Sequence, residues 1–169
     1  MFKLLISGPI ELNEIDTEDS TVNEALQTIY SGTKAYAVYL KWNNYIVELG
    51  LNAEIADIFS DIIKMMDGLR NQKEFSIYWG SSSFFATWAF IVDTDHVKIK
   101  ADWTSLRGPK EILEEIRKVP NQLIISKKEF MNEWLELLSV IKKDLQQAGY
   151  DKELLKDLHK LEDLEKYRS

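Results

Sequence analysis

The side chains that could do chemistry in this sequence are few. Asp93, Asp95 and His96 place two carboxylates and one imidazole within a short stretch, and such a set can bind a divalent cation. The same residue types are also common in hairpin turns. We favour the turn, so we expect neither a metal site nor a cofactor.

The chain has few of the residues that the common catalytic motifs require. The histidines are His96 and His159, and there is no cysteine, which leaves almost nothing for a Ser-His-Asp triad and excludes a thiolate nucleophile. The serines at 81–83 follow Gly80 as in a phosphate-binding turn, but the glycine-rich spacing and lysine of a P-loop are missing. A hairpin loop is the better interpretation, and we expect a protein that is not an enzyme.

The charge of the chain bears on its partners. A formal net charge of −7 and a pI near 5.0 argue against nucleic acid, because phosphate binding needs clustered lysine and arginine. A basic protein partner would be favoured instead, and the alternative interpretation is that a modest negative charge serves only to keep the protein soluble. The acidic segment near the N-terminus supplies the first predicted contact residues, which are Glu14, Asp16, Glu18 and Asp19.

The tryptophans are the second source of candidates, since aromatic side chains serve both cores and interface hot spots. There are five. Trp88 and Trp134 lie in strongly apolar patterns, which predicts burial. Trp42 stands beside the Asn43-Asn44 turn and Trp103 begins a predicted loop that contains Arg107, so we expect these three side chains to be exposed contact residues.

The elements that must position these residues centre on the aromatic run from Phe75 to Trp103. Alternation of apolar and polar residues predicts two strands with one buried face, around Phe75–Trp79 and Val97–Ala101. Between them, residues 84–92 are almost continuously apolar, which predicts the most buried strand. The turns at 81–83 and 93–95 make a meander the simplest topology.

The N-terminal half predicts a strand, a helix, a hairpin and a second helix. The strand covers 2–7, the first helix has its cap at Asp19 or Ser20 and stops at Ser31-Gly32, and the hairpin joins 35–42 to 45–49. Asn52 is the expected cap of the second helix, whose pattern leaves Glu54 on the outer face.

The C-terminal half carries the clearest helix signals. Pro109 suits the first turn of a short helix. The spacing of Ser126 and Glu129 is that of a capping box, and Gly149 suits a left-handed helix end. Asp151 then opens a predicted last helix with a stripe of leucines at 154, 155, 158 and 161.

Length and element order indicate one α+β domain over residues 1–169. We expect a mainly antiparallel sheet of about five to six strands packed with helices, and long C-terminal helices. The absence of cysteine fits a reducing cytoplasm. The first apolar run ends at Gly8-Pro9 and is too brief for a signal peptide or a membrane span.

A family resemblance rests on the C-terminal half. The segment from Tyr78-Trp79-Gly80 through Trp103, then Ile124-Ile125-Ser126, Phe130-x-x-x-Trp134-x-x-Leu137-Leu138 and Gly149-Tyr150, resembles the small bacterial immunity proteins encoded beside polymorphic toxins. The resemblance implies a cytoplasmic α+β protein that protects its producer by binding one cognate toxin. Such families share no catalytic residues that could be carried over to this chain.

The sequence therefore favours an immunity protein that neutralises a toxin by direct binding, and two alternatives stay open. One is a small-ligand or enzymatic domain with a pocket on the aromatic sheet, where Tyr78, Asp102 or His96 would supply polar groups. The other is an oligomeric structural protein, such as a homodimer, whose leucine-striped last helix pairs with a copy of itself.

Overall fold

The predicted α+β class is confirmed. The structure is a computed structural model that describes residues 1–7, 11–32 and 37–167. Its strands form two antiparallel sheets in place of one. Sheet A contains β1 (Phe2–Ile6), β2 (Ala37–Trp42) and β3 (Tyr45–Gly50), and sheet B contains β4 (Glu74–Ser81), β5 (Phe84–Val92), β6 (His96–Leu106) and β7 (Gln122–Ser126).

The predicted hairpin of sheet A is confirmed. β2 and β3 pair from Trp42 with Tyr45 down to Ala37 with Gly50. Asn43 has a φ of 54°, the left-handed conformation that a two-residue hairpin turn requires and that asparagine tolerates. The start of the strand predicted at 35–36 lies outside the described residues.

Helix α1 spans Val22–Ile29, as the pattern predicts, but its cap is neither Asp19 nor Ser20. Thr21 is the N-cap, and its hydroxyl accepts a hydrogen bond from the Glu24 amide at 3.3 Å. The Glu24 carboxylate in turn accepts from the Thr21 amide at 3.1 Å. This reciprocal capping box satisfies more backbone donors than a single aspartate or serine would.

Helix α2 spans Ala56–Asn71 and continues a π-helical turn at Leu51–Ile55. The expected cap at Asn52 is wrong, because Gly50 is the N-cap of the turn. The expected outward position of Glu54 is also wrong, since its side chain is buried. A π-helical turn holds more residues than an α-helical one, so the face read from a 3.6-residue period is shifted at Glu54.

The predicted meander of the three aromatic strands is confirmed as β4-β5-β6, and β7, which was not predicted, adds a fourth strand beside β6 in sheet B. β5 is the most buried of the three aromatic strands, as predicted, but only one of its faces is fully buried, since Ala89 and Ile91 are exposed while Trp88 and Phe90 are buried. One face of the sheet therefore packs on the core and the other is open to solvent. β6 runs as far as Leu106, beyond the predicted start of a loop at Trp103.

Helix α3 spans Lys110–Lys118, with Pro109 at its N-cap and not within its first turn. Arg117 closes part of the edge of β6, because its guanidinium donates to the carbonyl oxygens of Trp103 at 2.7 Å and Thr104 at 3.0 Å. The backbone of this edge is thereby kept from pairing with another strand.

Helix α4 spans Lys127–Ala148 and begins and ends as predicted. Of the predicted capping box, the structure gives the first bond, in which the Ser126 hydroxyl accepts from the Glu129 amide at 3.4 Å. Gly149 has a φ of 111°, and the Tyr150 amide donates to the Leu145 carbonyl at 3.0 Å, which is the Schellman geometry.

The last predicted helix is wrong. The chain after Asp151 forms turns, then the short helix α5 (His159–Glu162) and a 3₁₀ turn (Leu164–Tyr167). Leu155, Leu158 and Leu161 are buried in the core of the same chain. No exposed leucine stripe remains there for pairing with a second copy.

The core lies between the sheets and the helices and is dominated by aromatic rings. The Trp88 ring lies within 5.7 Å, between centroids, of Trp42, Trp79 and Trp103. Phe2 of β1 joins the cluster by stacking on Trp134 of α4 at 5.9 Å. Among the described residues, no helix is both long and apolar enough to cross a bilayer.

Candidate functional site

The predicted acidic contact residues lie on one ordered loop. Glu14, Asp16 and Glu18 are exposed and Asp19 is half-buried. The Asp16 carboxylate accepts a hydrogen bond from the Glu18 amide at 2.9 Å, and the Asp16 carbonyl accepts from the Asp19 amide at 3.2 Å. These local bonds form a turn at residues 16–19 of the segment that we call the acidic loop, residues 14–19.

Tyr150 fastens the acidic loop to the end of α4. Its hydroxyl donates to the carboxylate of Asp19 and accepts from the Asp16 amide at 3.1 Å. Burial of the ring, followed by the hydrogen bond to Asp19, raises the pKa of the Tyr150 hydroxyl to about 12. The hydroxyl therefore stays protonated at neutral pH and keeps both bonds.

The segment that follows Tyr150 extends the negative surface. Asp151 and Glu153 are exposed, and Asp157 accepts from the Val22 amide at 2.7 Å, at the start of α1. The lysines within residues 151–157 are Lys152, which forms an ion pair with Glu162 at 2.9 Å, and Lys156, which is exposed. Asp157 itself is paired with Lys160 at 3.5 Å. Carboxylates outnumber ammonium groups across the acidic loop and residues 151–157, so this surface is negatively charged.

Arg107 is partly exposed, as predicted, but it is not free. Its Nη1 lies 3.3 Å from Oε2 of Glu54, with 42% of the Arg107 side chain exposed and 1% of the Glu54 side chain. Glu54 also accepts from the Gly50 amide at 2.7 Å and from the Ser83 hydroxyl. Arg107 therefore belongs to a polar junction that joins the end of β3, the turn before α2, the β4–β5 turn and the end of β6.

The expected exposure of Trp42 and Trp103 is wrong. Trp42 is 0% exposed and Trp103 is 1% exposed, and their rings meet edge to face with centroids 5.3 Å apart. Trp42 continues the inward-facing series of β2 with Val38 and Leu40, and Trp103 does the same on β6. Both belong to the core, so we remove them from the contact set.

All five indole N–H groups are buried without a hydrogen-bond acceptor among the described residues. Each unmatched donor costs about 1–3 kcal/mol in mutational measurements. Several pairs in the cluster meet edge to face, including Trp79 with Trp88 and Trp88 with Trp103. Such contacts place the positive edge of one ring near the negative face of another and offset part of that cost.

The polar groups of the ligand-binding alternative do not converge. Tyr78 and Asp102 are exposed on the outer face of sheet B, both aligned with Thr87 of β5. His96 stands six residues from Asp102 on the same strand, which is about 20 Å in extended chain. The aromatic face that this alternative needed is the filled core.

Two turns were considered as a metal site and as a phosphate site, and in both the polar groups form hydrogen bonds within the protein. At 93–96, the Asp93 amide donates to the His96 carbonyl at 2.9 Å, which closes the hairpin. In the serine run, Ser81 donates to Asp57 at 2.9 Å and Ser83 donates to Glu54. Among the described residues, no group of three or more acidic or histidine side chains is arranged to hold a metal ion.

Glu54 is the residue that sequence reasoning missed. The sequence pattern predicts a solvent-facing helix position for Glu54. In the structure its carboxylate is buried and accepts hydrogen bonds from Arg107, Ser83 and Gly50. The sequence held no direct signal for this role. In the structure Gly50 leaves the necessary space, because a Cβ there would lie 2.9 Å from Nη1 of Arg107 and 3.1 Å from Oε2 of Glu54.

Comparisons with known proteins give one distant likeness. No protein-family model matches the chain, and no curated protein matches it. Among solved structures, it is similar to a CdiA-CT/CdiI toxin and immunity complex from Enterobacter cloacae, with 14% sequence identity, a TM-score of 0.41, and coverage of 82% of this chain and 99% of that chain. That TM-score does not establish a shared fold.

Proposed function

We propose that this chain is a protein-binding module, specifically an immunity protein that neutralises a cognate bacterial toxin by direct protein–protein binding. One observation carries the proposal: Tyr150 holds the acidic loop in a fixed conformation, with Glu14, Asp16 and Glu18 exposed. A binding surface that is ordered before its partner arrives loses less conformational entropy on association.

The charge of the loop supports a basic partner. Exposed carboxylates accelerate the encounter with a positively charged protein and disfavour acidic competitors. Asp19 has a different role from its neighbours, since it is the acceptor of the Tyr150 hydroxyl. Glu14, Asp16 and Glu18 are therefore the proposed contact residues of this loop, and Asp19 positions them.

Arg107 remains a proposed second contact at a separate place. Its guanidinium is anchored by Glu54 on one side and 42% of its side chain is exposed, so it can meet a carboxylate of the partner. The same role would place the protein in the cytoplasm of the producing cell.

The first test examines the gene next to this one. Its product is expressed in a bacterial host with and without this chain, and growth and co-purification are measured. We expect a toxic product that co-purifies with the chain and whose toxicity the chain suppresses. A neighbouring product that is harmless and does not bind would overturn the immunity role.

The second test examines the acidic loop in the same complex. The double substitution Asp16→Lys and Glu18→Lys is expected to slow association about tenfold or more at low salt. Glu114→Lys with Glu115→Lys is the matched control, since both residues are exposed on α3 and the change in net charge is the same. Equal rates for the two double variants would show that the loop is not the contact.

A further inference from the structure

The outer edge of β1, which pairs with no other strand in the described part of the chain, forms one wall of a groove. β1 is an outer strand of sheet A, and the groove lies between it and α4, with a volume of about 810 Å³. Its lining includes Leu5, Ile6, Glu136 and Val140. A second groove of about 700 Å³ continues past Phe2 toward Ile124 of β7, and Glu133 lines both. We call the two together the β1 groove.

The backbone of β1 alternates between its partner strand and this groove. The Met1 carbonyl accepts from the Asn43 amide at 2.7 Å, and the Ser7 amide donates to the Ala37 carbonyl at 2.9 Å. The backbone amide and carbonyl groups of the odd-numbered residues of this strand therefore face β2 or the turn that follows it. By the alternation of an antiparallel ladder, the amide and carbonyl groups of Phe2, Leu4 and Ile6 face the groove.

Glu133 already occupies one of these edge positions. Its Oε2 accepts from the Leu4 amide at 2.8 Å, and its Oε1 accepts from Nζ of Lys3 at 2.8 Å. An acceptor oxygen thus stands where the carbonyl of an added strand would stand. The edge of β1 is therefore able to bond an acceptor that lies beside it.

The groove is negatively charged above an apolar base. Glu129, Glu133 and Glu136 of α4 line it, and Lys3, which is ion-paired with Glu133 and is also close enough to Glu136 to attract it, supplies one positive charge against these three. Leu4 and Leu135 are buried beneath, and Leu5 is 52% exposed at the rim. Apolar surface beside an excess of carboxylates fits a segment that carries both apolar and basic side chains.

We propose that the β1 groove binds an extended, basic segment of a partner protein, which pairs with the edge of β1 as an added strand. Five residues of β1 accommodate a strand of about 17 Å. Alternate side chains of the segment point toward α4, where Glu129 and Glu136 bind lysine or arginine, and the others continue the outer face beside Lys3 and Leu5.

A second copy of this chain does not fit the same groove. Two β1 edges paired across a two-fold axis would bring Glu133 and Glu136 of one copy near the same residues of the other. The resulting repulsion between like charges opposes that dimer. The inference rests on the proposed function for the nature of its partner and adds a second surface to it.

The experiment uses a fluorescein-labelled ten-residue peptide of alternating lysine and valine, with binding followed by fluorescence anisotropy. We expect saturable binding that Glu136→Lys weakens about tenfold. Glu115→Lys, an exposed change of the same charge on α3, is expected to change the affinity less than about twofold. N-methylation of alternate peptide amides should abolish binding, because it removes strand hydrogen bonds.

Hydrogen exchange gives a second measurement that does not depend on variants. Bound peptide should slow exchange of the Ile6 amide, which faces the groove, and leave the amides of the acidic loop unchanged. Equal binding of a glutamate–valine peptide, equal effects of Glu136→Lys and Glu115→Lys, or protection confined to the acidic loop would each overturn the inference.

The groove inference and the immunity proposal can fail independently of each other. If the peptide does not bind while the neighbouring toxin still binds through the acidic loop, the groove inference fails and the immunity proposal stands. If the peptide binds as expected and the neighbouring product is neither toxic nor bound, the immunity proposal fails and the groove stands as a strand-binding surface.

Discussion

The guanidinium of Arg107 lies 3.3 Å from the buried carboxylate of Glu54, which ties the end of β6 to the turn that precedes α2. The same carboxylate receives the Gly50 amide and the Ser83 hydroxyl. One side chain therefore joins sheet A to sheet B, and its removal leaves donors from both sheets without an acceptor.

Glu54→Ala is expected to lower the free energy of unfolding by about 3 kcal/mol, because three donors lose their acceptor. Glu54→Gln keeps a side-chain oxygen for one of those donors and should cost less. Urea denaturation measures both, with the exposed Glu115→Ala on α3 as a neutral control. Equal losses for alanine and glutamine would contradict the role given to the hydrogen bonds.

Tyr150→Phe is expected to lower the free energy of unfolding by about 1 kcal/mol, because it removes the hydroxyl that joins Asp16 and Asp19. Amides of the acidic loop should exchange faster in the variant, which hydrogen exchange detects. Tyr78→Phe is the matched control, since Tyr78 is exposed on the outer face of sheet B. An unchanged loop in the Tyr150 variant would show that other contacts hold it.

The raised pKa of Tyr150 predicts a loss of stability in alkali. The folded protein holds this proton to about pH 12, compared with an ordinary pKa of 10.0. The contribution of the group to stability is therefore complete below pH 10 and declines as pH rises toward 12.

Denaturation curves between pH 9 and 12 check this dependence by comparing the natural chain with Tyr150→Phe. Burial also raises the pKa of Tyr30 and of Tyr167, so both proteins should weaken in alkali. The natural chain is expected to lose more of its free energy of unfolding than Tyr150→Phe between pH 9 and 12. Equal losses in the two proteins would refute the assignment to Tyr150.

Gly149→Ala is expected to cost about 1 kcal/mol of stability, because residue 149 has a positive φ that a side chain disfavours. Space is not the cause, since a Cβ there would meet Ile15 only at 4.0 Å. Gly80→Ala in β4 is the control, as its φ is not positive and its nearest contact is also at 4.0 Å. Thermal unfolding should separate the two variants by several degrees.

Much of the fold could be predicted because its signals are local. The spacing of Ser126 and Glu129, the position of Gly149 and the Asn43 turn each specify a backbone geometry within a few residues. Period-two alternation correctly separated the buried and exposed faces around Phe75–Trp79 and Val97–Ala101.

The errors arose where distant contacts decide the outcome. Trp42 and Trp103 looked exposed because each stood next to a turn or a predicted loop, but they meet each other across the two sheets. The leucines after Asp151 follow a helical pattern, yet they are buried by the rest of the chain in turns. No local pattern records that packing.

The candidate surfaces also differ in how far the sequence could predict them. The charges of the acidic loop could be read directly from the sequence, whereas the buried state of Glu54 and the groove beside β1 depend on how the elements assemble. Glu129, Glu133 and Glu136 read only as the polar side of a helix until α4 is placed beside β1.

The burial of every tryptophan gives the protein a spectroscopic signature. Indoles held away from water emit at short wavelength, and rings with centroids about 5 Å apart, such as Trp42 and Trp88, exchange excitation energy. Intrinsic fluorescence should therefore report unfolding with a large red shift. A partner seated on the acidic loop or along β1 would leave that emission almost unchanged, so binding must be followed with an external label.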